Sequence, residues 1–439
     1  MNADNTIAVK LSGIGRFRLS IPCSEINTRF QPKLPNSRYN RNVAILEFPT
    51  ARQLVIDTLL AHRSTPETEL VPITEASGRV LAQPAHADRD YPPFDRSVRD
   101  GFAIRSMDLP GELRVVGEVQ AGRVFAGEVG PGQAVEIMTG APVPIGADQI
   151  VMVEHAEFDA GIMRTTRPSS PGEFINYKGC ESKCGVEILS AGIRLNYTSI
   201  AVLATIGEEN VLVLRKPRVA ILATGDEIVP VGSQPEAHQI RNSNSYSIAA
   251  QVLRAGGLPH ILPVAKDNLE QTRALIEQAL EYDLVLLSGG VSAGKYDFVE
   301  PVLAALGAEF FFEGVLIQPG KPLVFGRVRN KFFFGLPGNP ASTMVTFELF
   351  ARPAIELLAG QNQSHLPIVE AKLTVPFRHR TGLTRFLPAI LSSARAYVTP
   401  VAWQGSGDVA AQTRANCFLI ADPNRESWQA ADYIQVLLQ

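Results

Sequence analysis

The stretch that decides the fold runs from residue 284 to residue 297 and reads Leu-Val-Leu-Leu-Ser-Gly-Gly-Val-Ser-Ala-Gly-Lys-Tyr-Asp. Its four apolar residues predict a buried strand, and residues 298–306 after it have the spacing of a helix. The glycines and serines between these two elements are placed to present backbone N–H groups and hydroxyls to an anion. Asp297 stands at the predicted helix start, where a carboxylate is typical of a helix cap or of a metal ligand.

Predicted strands and helices alternate on both sides of this stretch. The other strands are predicted at residues 219–223, 259–264, 310–315, 323–326 and 332–335, and the other helices at residues 244–255, 268–282 and 341–359. Alternation at this spacing predicts a parallel sheet that helices cover on both faces. We therefore predict an α/β domain over residues 217–361.

The sequence on both sides of the α/β domain has different patterns of helices and strands, so the whole chain is predicted to be a multidomain α/β protein. Short helices and strands in residues 46–90 and 186–216 predict a segmented N-terminal domain. Between its two parts, residues 91–185 alternate short Val- and Ile-rich runs with Gly and Pro turns, which predicts an inserted β-rich domain. Helical patterns end after residue 361, so residues 362–439 predict a C-terminal β domain.

Composition excludes several classes of protein. The 439 residues carry a net charge of -3, which predicts no general attraction to nucleic acid or to an anionic membrane. No apolar run is long enough to span a bilayer, and four cysteines are too few for a disulfide scaffold, so we expect a cytoplasmic protein. Residues 1–45 carry seven basic and two acidic side chains and predict a disordered basic extension, with a mis-called start or an organelle transit peptide as alternatives.

Three further loops follow predicted strands of the α/β domain. They read Thr224-Gly225-Asp226-Glu227, Gln318-Pro319-Gly320-Lys321-Pro322 and Gly335-Leu336-Pro337-Gly338-Asn339-Pro340. Sheets of this kind bind ligands at the carboxyl ends of their strands. Lys321 supplies a point charge for a phosphate, and carboxylate oxygens are ligands that suit Mg²⁺. Together the loops predict a site for a phosphate and a divalent metal.

A series of motifs resembles the molybdopterin molybdenumtransferase family, and the C-terminal domain of gephyrin is similar too. The motifs are Phe94-Asp95-x-Ser97-x-x-Asp100-Gly101-Phe102-Ala103, Met138-Thr139-Gly140-Ala141-Pro142-x-Pro144, Thr224-Gly225-Asp226-Glu227, Asn242-Ser243-Asn244, Ser288-Gly289-Gly290-Val291-Ser292-x-Gly294-x-x-Asp297, Pro319-Gly320-Lys321-Pro322, Gly335-Leu336-Pro337-Gly338-Asn339-Pro340, Gly405-Ser406-Gly407 and Arg414-Ala415-Asn416. They keep the family's order and span about residues 46–439.

The resemblance implies an activity, a fold and a set of site residues. Such enzymes combine adenylylated molybdopterin with molybdate, release AMP and yield molybdenum cofactor with the help of Mg²⁺, on a three-layer α/β/α molybdopterin-binding domain. The implied catalytic residues are Asp100, Thr139, Glu181, Glu227 and Asp297. The implied metal ligands are Asp226, Glu227 and Asp297. The implied substrate-binding residues are Ser288, Gly289, Gly290, Ser292, Gly294, Lys321, Pro337, Gly338, Asn339 and Pro340.

The resemblance also implies a homodimer with composite active sites. In it, Asp100 and Thr139 face the α/β site of the partner subunit. The molybdopterin adenylyltransferase is a further candidate partner, and neither nucleic acid nor a membrane is expected as one. Two alternatives share the fold: a divergent paralogue that acts on a related oxyanion or pterin nucleotide, and a non-catalytic gephyrin-like scaffold.

This sequence departs from the family pattern at several positions near the implied site. Where relatives usually show Arg-x-x-Gly-Glu-Asp, the chain has Asn176-Tyr-Lys-Gly179-Cys180-Glu181. The other departures are Lys295 for an acidic residue, Gln318 for a lysine, and Arg96 and Arg99 for residues that are usually uncharged.

Overall fold

The structure is a computed structural model, and it describes residues 45–290 and 298–439. The predicted basic extension therefore lies outside the described residues, apart from Ile45. The same holds for four predicted or atypical site residues in the loop after residue 290, namely Ser292, Gly294, Lys295 and Asp297.

The segmented N-terminal part contributes to two hydrophobic cores. A three-stranded antiparallel sheet has Asn210–Leu214 at its centre, between Thr68–Pro72 and Val80–Leu81. Helix α2 (Tyr197–Thr205) packs beside it and begins at Asn196, whose side chain accepts a hydrogen bond from the Ser199 N–H. A short 3₁₀ helix, Ile73–Glu75, follows Thr68–Pro72. Helix α1 (Phe48–His62) instead buries Ala51, Val55 and Leu59 in the core of the α/β domain.

The inserted part is built on a six-stranded sheet. Its strands, in spatial order, are Gln149–Met152, Gly101–Ile104, Gln133–Ile137, Glu112–Val119, Ile162–Arg164 and Glu157–Asp159. Two further 3₁₀ helices are Ser106–Asp108 and Val153–His155. A separate two-stranded pair joins Arg96–Ser97 to Ile175–Asn176. The chain enters and leaves this part through Ala85–His86 and Glu187–Leu189, which also pair antiparallel.

The α/β domain is a three-layer structure, as the sequence predicts. Its sheet has the order Leu258–Ile261, Arg218–Ala223, Leu284–Ser288, Lys331–Leu336, Val324–Val328 and Glu309–Glu313. One face packs on α1, α3 (Asn244–Ala255), α6 (Pro340–Thr346) and α7 (Arg352–Leu358), and the other on α4 (Leu269–Ala279) and α5 (Val299–Ala305). A short parallel pair, Ile228–Val229 and Ile240–Arg241, lies beside the sheet's carboxyl edge.

Two details of this domain correct the sequence-based prediction. The prediction of a purely parallel sheet is wrong at one edge, because Val324–Val328 runs antiparallel to both of its neighbours. Only Arg329 and Asn330, both with positive φ, connect it to Lys331–Leu336, and a parallel crossover needs a far longer connection. The long predicted helix is also interrupted by a π-helical turn at Phe347–Ala351, just before Pro353, which lacks a backbone N–H.

The C-terminal domain is a closed β module. Its strands, in order, are Ile317–Gln318, Thr384–Leu391, Tyr397–Pro400, Ile368–Leu373, Tyr433–Leu438 and Cys417–Ala421. Thr384–Leu391 also pairs with Cys417–Ala421, which closes the sheet into a barrel-like form. A small pair, Phe377–Arg378 with Ser427–Trp428, and helix α8 (Val409–Thr413) complete it. None of the helices in the described residues combines the length and hydrophobicity that a membrane crossing needs.

Candidate functional site

A cavity of about 400 Å³ opens at the carboxyl edge of the parallel strands. The ends of three neighbouring strands, the loops that follow them and the start of α3 form its walls. The lining residues are Ala223, Thr224, Glu227, Ile228, Ile240, Arg241, Asn242, Ser243, Asn244, Ser288, Gly289, Pro322, Pro337, Gly338, Asn339, Pro340 and Ser342. The structure thus brings together seven sequence-predicted site residues: Glu227, Ser288, Gly289, Pro337, Gly338, Asn339 and Pro340.

Asn244 ties two of these loops to each other. Its side-chain Nδ2 donates to the Ser288 hydroxyl oxygen at 2.9 Å and to the Gly338 carbonyl oxygen at 2.8 Å. Because Asn244 is the first residue of α3, the helix start is fixed against both loops. Asn244 belongs to a motif in the sequence but was not among the predicted site residues. A polar residue at a predicted helix start, close to two strand ends, could have indicated its role.

The loop after Arg218–Ala223 holds Glu227 in place. Gly225 has a φ of 136°, a conformation that strongly favours glycine. A Cβ at this position would lie 2.5 Å from a carboxylate oxygen of Glu227, so the glutamate side chain folds back over the glycine. A side chain at position 225 would therefore push the Glu227 carboxylate away from its present place.

Three carboxylates gather at this edge of the sheet. Partial burial, which is the larger cause, and the negative charges of Asp226 and Glu227 raise the pKa of Asp267 above its usual range. The Asp267 N–H also donates to Asp226 Oδ1 at 3.2 Å. Sequence reasoning missed Asp267, because its loop follows a strand whose predicted end was three residues too late.

These carboxylates fit the metal that the sequence predicts. Asp226 and Glu227 carry the hard oxygen donors that Mg²⁺ prefers, beside a cavity suited to phosphate groups. Within residues 45–290 and 298–439, no three His, Cys, Asp or Glu side chains converge closely enough to form a metal site by themselves. Lys266 adds a positive charge at this edge of the sheet. Its Nζ donates to the carbonyl oxygens of Asp226 and Ile228, each at 3.1 Å.

Two predicted substrate-binding residues lie beside the cavity rather than in its wall. The side chain of Lys321 is exposed, and its neighbour Pro322 lines the cavity instead. Gly290 follows Gly289, and both have positive φ, which turns the chain sharply away from the strand end.

The other predicted catalytic residues form a second group in the inserted part. Asp100 Oδ1 accepts hydrogen bonds from the Thr139 N–H at 2.6 Å and from its hydroxyl at 2.8 Å. These two donors hold the pKa of Asp100 below its usual range, and the Thr139 N–H contributes more than the Thr139 hydroxyl. Asp100 therefore remains an ionised, oriented carboxylate at neutral pH.

Glu181 lies in the same group and makes an ion pair. Arg96 Nη2 donates to Glu181 Oε1 at 2.6 Å, and Asn176 Nδ2 is 3.5 Å from the same oxygen. Within this single chain, the group around Asp100 and Glu181 and the cavity around Glu227 are carried by different parts of the fold.

Comparison with known protein families accounts for nearly all of the chain after residue 45. Residues 46–207 match the MoeA N-terminal region (domain I and II), residues 220–357 match a probable molybdopterin binding domain, and residues 370–438 match the MoeA C-terminal region (domain IV). The chain is 35% identical over 393 residues to the molybdopterin molybdenumtransferase of Staphylococcus aureus (strain COL), covering 87% of this chain and 94% of that protein.

The chain belongs to the molybdopterin molybdenumtransferase (MoeA) family.

Other members of the MoeA family agree in sequence and in fold. The molybdopterin molybdenumtransferase of Bacillus subtilis (strain 168) is 36% identical over 386 residues, which are 85% of this chain and 90% of that protein. A crystal structure of the molybdopterin biosynthesis MoeA protein from Pyrococcus horikoshii OT3 has a TM-score of 0.74 at 28% identity, covering 90% of this chain and 100% of that one. A second Pyrococcus horikoshii structure gives 0.70 at 31% identity, covering 90% and 99%. The predicted family and fold class are therefore confirmed.

Proposed function

We propose that this protein is a molybdopterin molybdenumtransferase, which combines adenylylated molybdopterin with molybdate and releases AMP to form molybdenum cofactor. The observation that carries the proposal is the cavity itself. In a chain of the MoeA family, glycine, hydroxyl and amide groups line a cavity beside clustered carboxylates at the edge where such sheets bind ligands.

The side chains around the cavity suit phosphoanhydride cleavage, which depends on positioning and charge neutralisation. The Ser288 hydroxyl oxygen accepts from Asn244, so its own proton stays available to donate to a phosphate oxygen. Asp226 and Glu227, with Asp297 added from the sequence, would hold Mg²⁺, which would supply positive charge against the phosphates. The Lys266 ammonium, fixed on two carbonyl oxygens, offsets part of the negative charge of these carboxylates.

We also propose that the protein is a cytoplasmic homodimer with composite active sites. The group around Asp100 and Glu181 would complete the cavity of a second subunit. Free, exposed Cys180 and Cys184 fit a reducing compartment. The molybdopterin adenylyltransferase, which would supply the substrate, remains a candidate partner.

The test is a direct assay of purified protein with adenylylated molybdopterin. We expect AMP release and molybdenum cofactor formation that depend on molybdate and Mg²⁺, and a loss of orders of magnitude in Glu227→Ala with its oligomeric state unchanged. Tungstate in a parallel assay tests the related-oxyanion alternative. Tight binding of adenylylated molybdopterin without turnover would contradict the proposal and favour a scaffold.

A further inference from the structure

Three departures from the family pattern meet at one point of the inserted part. They are Asn176, Glu181 and Arg96, three positions at which the resemblance implies a departure from the usual residue. Arg96 and Asn176 both approach the same oxygen, Glu181 Oε1, at 2.6 Å and 3.5 Å. The three changes therefore form one contact rather than three independent ones.

The strand register explains how they fit together. Arg96 lies directly opposite Asn176 in the antiparallel pair, so side chains from these two positions share one space on the sheet. A guanidinium at either position reaches that space. In this chain the guanidinium stands at position 96, and the Glu181 carboxylate meets it there.

The contact between Arg96 and Glu181 uses one guanidinium nitrogen and one carboxylate oxygen. Within the described part of the chain, Glu181 Oε2 accepts no hydrogen bond, and Arg96 Nε and Nη1 donate none. The two side chains are 37% and 48% exposed, so the unused atoms are open to solvent. A carboxylate fixed by one oxygen presents its second oxygen in a defined direction.

The pair lies close to the Asp100–Thr139 group. On the side opposite Asn176, the segment that follows Thr139 flanks the Arg96–Ser97 strand. The Ser97 N–H donates to the Ala141 carbonyl oxygen at 3.0 Å, and the Gly140 N–H donates to the Ser97 carbonyl oxygen at 2.8 Å. One short strand therefore carries the Glu181 ion pair on one side and the Thr139 loop on the other.

We propose that Arg96 is a positioning residue for Glu181, whose carboxylate it holds by one oxygen while the other stays free to accept a hydrogen bond from the substrate. This inference rests on the proposed function and adds a residue to it. The guanidinium also offsets the negative charge that Glu181 would otherwise present to phosphate or molybdate.

The test compares Arg96→Ala, Arg96→Lys and the transposed variant Arg96→Asn/Asn176→Arg. We expect Arg96→Ala to lower kcat/KM for adenylylated molybdopterin by about tenfold. Lysine should restore the rate only in part, because it lacks the planar fork of a guanidinium. The transposed variant should recover most of the rate, whereas Arg96→Asn alone should not. Melting temperatures should stay close to wild type, since an exposed pair adds little stability.

The matched control is Arg164→Ala. Arg164 also pairs with a glutamate across two strands of the inserted part, with its Nε 2.7 Å from Glu112 Oε1 and both side chains well exposed. We expect wild-type kinetics for it. In Glu181→Gln, adding Arg96→Ala should cause little further loss, because both changes break the same contact.

Two results overturn the inference. One is wild-type kcat/KM in Arg96→Ala, and the other is a loss that simply adds to that of Glu181→Gln. Either leaves the proposed function standing if the wild-type protein is active. A folded wild-type protein that makes no cofactor overturns the proposed function, and this inference falls with it.

Discussion

Thr139 binds the Asp100 carboxylate through both its backbone N–H and its hydroxyl, at 2.6 Å and 2.8 Å. The two donors act on a single oxygen, Oδ1, and lower the pKa of Asp100. Asp100 is therefore an ionised carboxylate with a fixed orientation, and this arrangement is accessible to experiment.

We predict that Thr139→Val raises the pKa of Asp100 toward its usual range, since the hydroxyl donor is lost and the backbone donor remains. If the reaction needs the ionised carboxylate, the acidic limb of the pH profile of kcat/KM moves to higher pH. Thr139→Ser, which keeps the hydroxyl, should leave that limb in place. Identical acidic limbs for valine and serine variants would show that the hydroxyl bond does not matter to catalysis.

Mixing two inactive variants should restore activity if the sites are composite. Asp100→Ala and Glu227→Ala change different parts of the fold, so a heterodimer would contain one site with both residues intact. We expect up to half of the wild-type activity per heterodimer, measured as AMP release after subunit exchange. Exchange confirmed by mass spectrometry without any recovery would mean that each subunit works alone.

Gly225→Ala should reduce activity by moving a carboxylate rather than by removing one. Its φ of 136° is unfavourable for alanine at a cost of about 1–3 kcal/mol, and the added Cβ would displace the Glu227 carboxylate. Gly232→Ala is the control, because that glycine has open space and lies in the next loop, after Ile228–Val229. Equal turnover of the two variants would argue that the position of Glu227 is unimportant.

Asp267→Asn should stabilise the fold while weakening Mg²⁺-dependent activity. Because the pKa of Asp267 is raised in the folded state, its ionised form costs stability at neutral pH, and the amide removes that cost. The gain should be at most about 1 kcal/mol, since solvent screens an exposed group. The gain should shrink as the pH falls toward the ordinary pKa of aspartate, about 3.9, and vanish about one pH unit below it, where aspartate is protonated in both states.

Thermal melts at pH 7 and about pH 3, together with Mg²⁺ titrations of activity, check this prediction. Glu236→Gln, which removes an exposed carboxylate elsewhere, is the control. A less stable Asp267→Asn protein at pH 7 would contradict the raised pKa of Asp267 in the folded state.

Thiol reactivity should separate the described cysteines. Burial raises the pKa of Cys417 to about 11, whereas Cys180 and Cys184 are exposed. Because the thiolate is the reactive form, native protein at pH 8 should be alkylated at Cys180 and Cys184 and spared at Cys417. Peptide mapping before and after unfolding measures this. Rapid native labelling of Cys417 would show that its core opens easily.

The sequence predicted the α/β domain well because buried parallel strands are short, continuous apolar runs. Leu284–Ser288 and the loop after it were recognisable from residue type alone, and so was Pro340 as the first residue of a helix. Hydrophobic spacing says which face of an element is buried, but not what covers it. Nothing in the pattern of α1 indicated that Val55 packs against the helices of a domain more than 150 residues later.

The candidate site was only partly predictable for a similar reason. Ser288 ends one strand and Glu227 lies in the loop that follows another, where chain position alone suggests a ligand site. Asp267 and Asn244 acquire their importance from neighbours that only the folded chain supplies. The contact between Arg96 and Glu181 joins residues 85 positions apart, and it depends on the register of a two-residue strand pair.

The narrow connection to the inserted part has a mechanical consequence. Ala85–His86 pairs with Glu187–Leu189, and Tyr91 bridges Ser182, so both connecting segments run side by side as one ribbon. A ribbon of two strands bends more easily than either packed core it joins. Because Asp100, Thr139 and Glu181 all lie beyond this ribbon, any bend in it would move the three residues together.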